Sequence, residues 1–170
     1  MEQKSQATLP VVIVLAISGV IVFSIVVQAA PISPTNCSNL RTLVEIDGTG
    51  DYELQNDIDC TGEAGLRPIC PLTPFTGTFD GGNHTITGPF LNITLTNRAG
   101  LFGYLSHASI VDLGLVDAVA HANHKAVGLL AAEISNSNIT NCYSIGTVDN
   151  TDGTFHISRL VGDEWQPAYE

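Results

Sequence analysis

The chain has very little positive charge. Only six of its 170 residues are lysine or arginine, whereas 17 are aspartate or glutamate, so the formal net charge is −11 at pH 7. Lysine occurs only as Lys4 and Lys125. Because nucleic-acid binding depends on basic side chains that neutralise phosphates, this composition argues against a nucleic-acid partner. A lysine-poor, acidic surface has two explanations: adaptation to a salt-rich medium, or the ordinary need for net charge to keep a protein soluble.

The sequence also lacks the common catalytic motifs. It contains no Gly-x-Ser-x-Gly, no phosphate-binding loop and no His-Glu-x-x-His. The cysteines form no Cys-x-x-Cys pair, which argues against a zinc site. We therefore predict no catalytic residue, no cofactor and no bound metal.

One long apolar run, residues 9–30, lies near the N-terminus and follows Lys4. It ends in Ala29 and Ala30 before Pro31, which is the layout of a secretory signal peptide. The run is also long enough to cross a bilayer as a hydrophobic helix. We predict that residues 1–30 are a signal peptide or an N-terminal membrane anchor, with membrane contact only through residues 9–30. Both alternatives place the remaining chain outside the cytoplasm or at the cell surface.

After Pro31 the chain contains two similar stretches with a period of about 28 to 29 residues. A constant offset of 29 matches four residues of the first copy with four of the second. The predicted repeat core consists of Ile110, Leu113, Leu115 and Val119, matched with Ile139, Cys142, Ser144 and Val148. Residues two apart share a strand face, whereas the three-residue step from Ile110 to Leu113 implies a corner. This alternation of strands and corners predicts a short all-β solenoid of about five coils, whose equivalent residues stack.

Short strands and turns divide the rest of the chain. Residues 31–39 are predicted to be a linker, 40–150 the β-helix, and 151–170 an incomplete repeat or C-terminal tail. Within the β-helix, the first predicted strand covers residues 40–46, and Asp-Gly-Thr-Gly at 47–50 predicts a turn.

Four cysteines in an exported chain indicate disulfide bonding, with three complete pairings available. Cys142 occupies a repeat position that leucine fills in the first copy, so we predict a core residue there. The preferred bridge is Cys37–Cys60, and Cys60–Cys70 is the rival.

Several stretches resemble the GLUG-repeat family of microbial surface proteins. They are residues 52–60, residues 75–86, Gly100-Leu101-Phe102-Gly103 and Asn141-Cys142-Tyr143-Ser144. The resemblance implies a right-handed parallel β-helix of the kind found in large exported adhesins, surface-layer-like proteins and some peptidases. The repeat is an accessory region in those peptidases, so the resemblance implies no catalytic residue.

A few polar groups are candidates for chemistry or modification. Asp47-x-Thr49-x-Asp51 has part of a calcium-loop spacing, but turn-forming aspartates explain it better. The candidate carboxylate pairs for polysaccharide cleavage are Asp57 with Asp59, on one strand face, and Asp112 with Asp117, near coil corners. His121-x-x-His124 lacks a third metal ligand and is interpreted as a solvated loop. Four sequons mark candidate N-glycosylation sites at Asn36, Asn83, Asn92 and Asn138.

These features predict a non-enzymatic, exported cell-surface module that acts as a spacer, an adhesin or a glycan-binding element. Its expected partners are surface glycans or further repeats of a larger array. One alternative is a polysaccharide lyase or hydrolase, which rests on fold analogy alone. Another is an anchored subunit of an extracellular filament.

Overall fold

The structure is a computed structural model, and it divides the chain into Met1–Pro31 and Ile32–Glu170. It describes residues 12–13, 25–26, 30–42, 48–63, 65–70, 72–93, 98–122, 126–150, 156–158 and 160–164. In the first unit, strand β1 (Val12–Ile13) pairs antiparallel with β2 (Ile25–Val26). None of the described residues belongs to a helix long and apolar enough to cross a bilayer. The predicted hydrophobic helix is therefore wrong at these four residues, and residues 1–11, 14–24 and 27–29 of the predicted signal peptide or anchor lie outside the described residues.

The second unit begins with a short helix, α1 (Cys37–Thr42), and continues as a series of short strands. The strands are β3 (Asp51–Glu53), β4 (Ile58–Asp59), β5 (Thr78–Asp80), β6 (Thr85–Thr87), β7 (Phe90–Ile93), β8 (Arg98–Ala99), β9 (Phe102–Ser106), β10 (Ser109–Val111), β11 (Gly114–Ala122), β12 (Ala126–Gly128), β13 (Ala131–Ser135), β14 (Asn138–Thr140), β15 (Tyr143–Asn150), β16 (His156–Ser158) and β17 (Val161–Glu164).

All of the strand pairs in this unit are parallel, and they form four sheets that the chain visits in turn. The first sheet has the order β14-β10-β5-β3, and the second has the order β15-β11-β6-β4 with β7 also on β11. The third is β16-β12-β8, and the fourth is β17-β13-β9. Such a topology is a parallel β-solenoid.

The solenoid makes about three turns in the described part of the chain, fewer than the predicted five. Equivalent residues Asp51, Thr78, Ser109 and Asn138 lie side by side in the first sheet. The segment that follows β4 belongs to the first coil and does not form a separate one. It pairs with the next coil through single bridges from Leu66 to Leu91, Ile69 to Phe102 and Phe75 to Leu105.

Inward side chains stack into columns because the strands are parallel and in register. One column contains Tyr52, Phe79, Ile110 and Ile139, and a second contains Ile58, Ile86, Leu115 and Ser144. Ile110, Leu113 and Leu115 are fully buried. In the last coil, Ile139, Cys142 and Val148 are partly buried against the same core, and Ser144 is also partly buried.

The offset of 29 does not continue along the whole of β11 and β15. Leu115 lies opposite Ser144, but Val119 lies opposite Thr147, and Val148 lies opposite Ala120. Val116 and Asp117 together face Ile145, so the first copy contains a one-residue bulge. Since a one-residue shift moves every following side chain to the other face, Ala118 and Ala120 are buried whereas Val119 is only partly buried. The predicted pairing of Val119 with Val148 is therefore wrong.

The first coil is covered by α1, where the sequence predicted a strand. Asn36 begins the helix, because its side-chain oxygen accepts a hydrogen bond from the Asn39 backbone nitrogen at 3.0 Å. Leu40 and Cys37 are buried against the core. The predicted strand at residues 40–46 is wrong for residues 40–42, and residues 43–47 lie outside the described part. The predicted linker likewise contains the start of α1 and a bridge from Ile32 to Tyr52.

The Cys37–Cys60 disulfide joins α1 to the end of β4 and confirms the preferred pairing. The rival pairing of Cys60 with Cys70 is thus wrong, and Cys70 is buried in the core instead. A cluster of aromatic rings fills the same end of the core. It consists of Tyr52, Phe75, Phe79 and Phe102, with ring centroids 5.4–6.2 Å apart.

Strands β16 and β17 carry the stack into the region predicted to be an incomplete repeat or tail. Ile157 pairs with Val127, and Val161 pairs with Ala131. The described part of this coil extends to Glu164, the last residue of β17.

Candidate functional site

The corner between the first and second sheets carries a column of polar side chains, which we call the corner column: Asn83, Asp112 and Asn141. Their φ angles are 62°, 53° and 53°, a left-handed conformation that asparagine and aspartate adopt more readily than most residues. The Asn141 side-chain nitrogen donates a hydrogen bond to the Asp112 carboxylate. The Asn83 backbone nitrogen donates to the Asp112 carbonyl oxygen at 2.9 Å. The corner column therefore turns the chain and links successive coils.

The candidate carboxylates Asp57 and Asp59 lie on one exposed face, on either side of the buried Ile58. An Asp57 carboxylate oxygen accepts hydrogen bonds from the Thr85 backbone nitrogen at 2.9 Å and lies 3.2 Å from His84 Nδ1. The hydrogen bond from the Thr85 backbone lowers the pKa of Asp57, and His84 adds to the effect. The Asp57 carboxylate thus connects the first coil to the second.

Asp59 makes a local turn. Its carboxylate accepts a hydrogen bond from the Thr61 backbone nitrogen at 2.8 Å. Hydrogen bonds from the Thr61 side chain and backbone lower the pKa of Asp59. Because a general acid needs a raised pKa, a carboxylate with a lowered pKa is better suited to holding a turn than to donating a proton.

Asp112 lies at a corner, as predicted, but Asp117 lies within strand β11. Asp112 belongs to the corner column, whereas Asp117 lies in the bulge of β11 with a φ angle of 52°. Asp117 is exposed. Within the described residues, no hydrogen bond joins these two carboxylates, and each has a conformation typical of a turn residue.

The structure describes one histidine of the predicted His121-x-x-His124 pair. His121 lies within strand β11, so the predicted solvated loop is wrong at this residue, and its Nδ1 is 3.1 Å from an Asp149 carboxylate oxygen on β15. His124 and Asp47 lie outside the described residues. In the part of the chain that the structure describes, no group of three or more His, Cys, Asp or Glu side chains is arranged to hold a metal ion.

A charged cluster that the sequence did not reveal links the third and fourth sheets. Arg98 on β8 contacts the Glu133 carboxylate on β13 at 2.8 Å through both Nε and Nη2. Its guanidinium also lies over the Tyr104 ring, 4.8 Å from the centroid. Tyr104 and Glu133 are register partners 29 residues apart. The repeat offset could therefore have predicted that these two residues lie side by side. Both charged side chains are partly buried, which favours a structural ion pair.

The four sequons occupy different local structures. Asn36 precedes α1, Asn83 lies in the corner column, Asn92 is on β7 and Asn138 begins β14. Asn36, Asn83 and Asn138 are exposed, and the side chain of Asn92 lies outside the described part. Three of these asparagines therefore have side chains at the surface.

The outer face of the second sheet carries exposed apolar side chains. Tyr143, Ile145 and Phe90 are 48%, 58% and 38% exposed, respectively. The Tyr143 ring covers Gly114 of the neighbouring strand so closely that a Cβ atom at residue 114 would collide with it. Cys142, adjacent to Tyr143, points instead toward the core, and burial raises the pKa of its thiol.

Comparison with known proteins gives one sequence relative of interest. The chain is 29% identical over 152 residues to Halomucin of Haloquadratum walsbyi (strain DSM 16790 / HBSQ001). The match covers 79% of this chain but only 2% of Halomucin, so the chain spans a very small part of that relative. No family model and no solved structure matches the chain.

Proposed function

We propose that this chain is an exported cell-surface module that acts mainly as a rigid, non-enzymatic spacer. The observation that carries the proposal is the arrangement of its side chains around a parallel β-solenoid. Apolar side chains stack inward from coil to coil, and polar side chains at the corners bind neighbouring coils. Such a structure is stiff along its axis, and its length grows with the number of coils.

Three further features support export. The apolar residues 9–30 have the composition of a signal peptide or anchor. The Cys37–Cys60 bridge suits an oxidising compartment outside the cytoplasm. The similarity to Halomucin, a protein named as a mucin, is compatible with a secreted or cell-surface protein. We also propose that the solenoid is right-handed and that the chain is a member of the GLUG-repeat family.

The spacer can also contact surface glycans through its outer faces. Outward positions in the first sheet are rich in hydroxyl, amide and carboxylate groups, which form hydrogen bonds with sugars. They include Asp51, Thr78, Ser109, Asn138 and Thr140, all exposed or partly buried. In this more specific form of the proposal, the module also acts as an adhesin that binds glycans through these groups.

The location is tested on intact source cells. We expect an added protease or an antibody to reach the chain without cell lysis. We also expect thiol alkylation of the unreduced chain to leave Cys37 and Cys60 unmodified. A chain that is protected until lysis would contradict the proposed export.

The spacer role is tested by replacing residues 32–164 in the cell. One replacement is an unrelated β-solenoid with the same number of turns, and the matched control is a flexible Gly/Ser linker of equal residue number. A spacer is replaced successfully by the solenoid but not by the linker, measured as cell attachment and as access of antibodies to the surface.

If neither replacement works, specific binding by the outer faces is required, and a glycan array with the purified chain identifies it. A polysaccharide panel is incubated with the same protein. New reducing ends or unsaturated sugar products would contradict the non-enzymatic proposal.

A further inference from the structure

We propose that Asn138 carries an N-linked glycan and that it is the preferred acceptor among the four sequons. This inference rests on the proposed export, because the modification requires the chain to meet a glycosylating enzyme outside the cytoplasm. The sequence alone treats the four sequons as equivalent. The structure separates those at Asn36, Asn83 and Asn138 by the geometry and exposure of the asparagine and of the residue two positions later, whereas the side chains of the Asn92 sequon lie outside the described part.

In strand β14, Asn138 and Thr140 lie on the same outward face. Both are exposed, whereas Ile139 between them faces the core. This follows from the two-residue period of a strand, which puts like-facing residues roughly 6.5 Å apart. The acceptor amide and its partner hydroxyl are therefore accessible from one side, and a glycan there leaves the column of Ile110 and Ile139 undisturbed.

The sequon at Asn36 has a different geometry. Asn36 caps α1 through its side-chain oxygen, and Ser38 lies within the helix. Residues two apart on a helix do not face each other, so the amide and the hydroxyl point in different directions. The residue between them, Cys37, is buried and bridged to Cys60, which holds this geometry in place.

The sequon at Asn83 is exposed at its asparagine, whereas Thr85 is partly buried and its backbone nitrogen donates a hydrogen bond to the Asp57 carboxylate at 2.9 Å. Asn83 itself has a φ angle of 62° in the corner column and not an extended conformation.

The edge position of β14 favours access to Asn138. In the described residues, β14 pairs on one side with β10 and ends the first sheet. By contrast, Asn92 lies on β7, which contacts β11 on one side and is bridged to Leu66 on the other.

The chemical step needs a lipid-phosphate-linked oligosaccharide as donor and a transferring enzyme. The Asn138 side-chain nitrogen forms a bond to the anomeric carbon of the sugar. The bond from that carbon to the phosphate oxygen breaks, the lipid phosphate leaves, and one amide proton is lost to solvent. The product is a neutral glycosyl amide, so the charge of the chain changes only through any charged sugars.

The test uses the full chain produced in its source cells and analysed by mass spectrometry of the intact protein and its peptides. We expect an oligosaccharide on the peptide that contains Asn138. Asn138→Gln and Thr140→Val lose its mass, whereas Thr140→Ser keeps it, because serine also completes a sequon. Asn36→Gln and Asn83→Gln leave the glycan at residue 138 in place.

Measuring the thermal unfolding of each variant shows whether a lost glycan results from a misfolded chain. Thr140 is exposed, so Thr140→Val and Thr140→Ser are expected to unfold at similar temperatures when both are stripped of glycan. An exported chain whose Asn138 is unmodified overturns the glycan proposal and leaves the spacer function intact. Modification at Asn36 or Asn83 with Asn138 bare also overturns it. A chain that remains inside the cell overturns both proposals.

Discussion

At the scale of single residues, the outcome for a side chain depends on which face of its strand it occupies. Ile110 and Ile145 are the same residue type on neighbouring coils, yet Ile110 is fully buried and Ile145 is 58% exposed. Ile110 stacks between Phe79 and Ile139, whereas Ile145 faces outward opposite the bulge in β11. Hydrophobicity alone cannot separate the two positions.

This difference gives a matched pair of variants. We expect Ile110→Ala to lower the free energy of unfolding by about 3 kcal/mol, because it leaves a cavity in a tightly packed column. Ile145→Ala is expected to cost about 1 kcal/mol or less, since little buried surface is lost. Urea denaturation followed by circular dichroism measures both. Equal losses in the two variants would contradict the assignment of the faces.

Asp57 shows how a surface residue can connect coils. The hydrogen bond from the Thr85 backbone lowers the pKa of Asp57 in the folded state. Its contribution to stability is then present above the unfolded-state pKa and disappears as the pH falls through the lowered folded-state pKa.

We therefore expect Asp57→Asn to be less stable than the unmodified chain at pH 6 and closer to it in stability at about pH 3. The comparison needs urea midpoints of both proteins at the two pH values. A stability difference that is the same at both pH values would show that the Asp57 charge is not involved.

At the scale of elements, the start of the solenoid is the place where sequence-based prediction failed most clearly. Residues 40–42 begin the stretch that was predicted to be a strand, but they lie in α1, since Asn36 caps the helix and Cys37 is held by the disulfide. The bulge in β11 was missed for a similar reason. A one-residue insertion leaves the apolar pattern almost unchanged and is decided by pairing with β15.

The disulfide is expected to hold this first element in place. The Cys37–Cys60 bridge closes a loop with a sequence separation of 23. In the chain-entropy account, a loop of this size contributes about 3 kcal/mol of stability. We expect the double variant Cys37→Ala/Cys60→Ala to lose about this amount, measured by urea denaturation.

Cys142→Ala is the matched control, because Cys142 lies partly buried in the last coil and is not disulfide-bonded. Its expected effect is about 1 kcal/mol. A control that destabilises the protein as much as the double variant would argue against a special role for the bridge.

At the scale of the whole molecule, the solenoid unit is a stack in which each coil contacts its neighbours. Removing one complete coil should therefore leave a folded, shorter protein. Deletion of residues 109–137 joins Ala108 directly to Asn138, which is the register partner of Ser109. We expect cooperative unfolding and a solenoid that is shorter by roughly 4.8 Å, the spacing between paired strands.

The matched control deletes about half a coil, residues 109–123, and moves the following strands out of register. We expect this variant not to fold, because its inward and outward residues no longer stack with those of the preceding coil. Circular dichroism and small-angle X-ray scattering distinguish the two outcomes. A half-coil deletion that folds as well as the full-coil deletion would contradict the stacked register.

The sequence by itself determined the repeat and the all-β solenoid class, since these follow from spacing and local composition, whereas it left Cys37–Cys60 and Cys60–Cys70 as alternative bridges. Tertiary structure decided the bulge at Val116 and Asp117, the helix at residues 37–42 and the contact of Arg98 with Glu133. It also decided that the Asn138 and Thr140 side chains lie together on the outward face of one strand. The physical reason is that pairing with an adjacent coil fixes the direction of each side chain, and that neighbour is about 29 residues away in the chain.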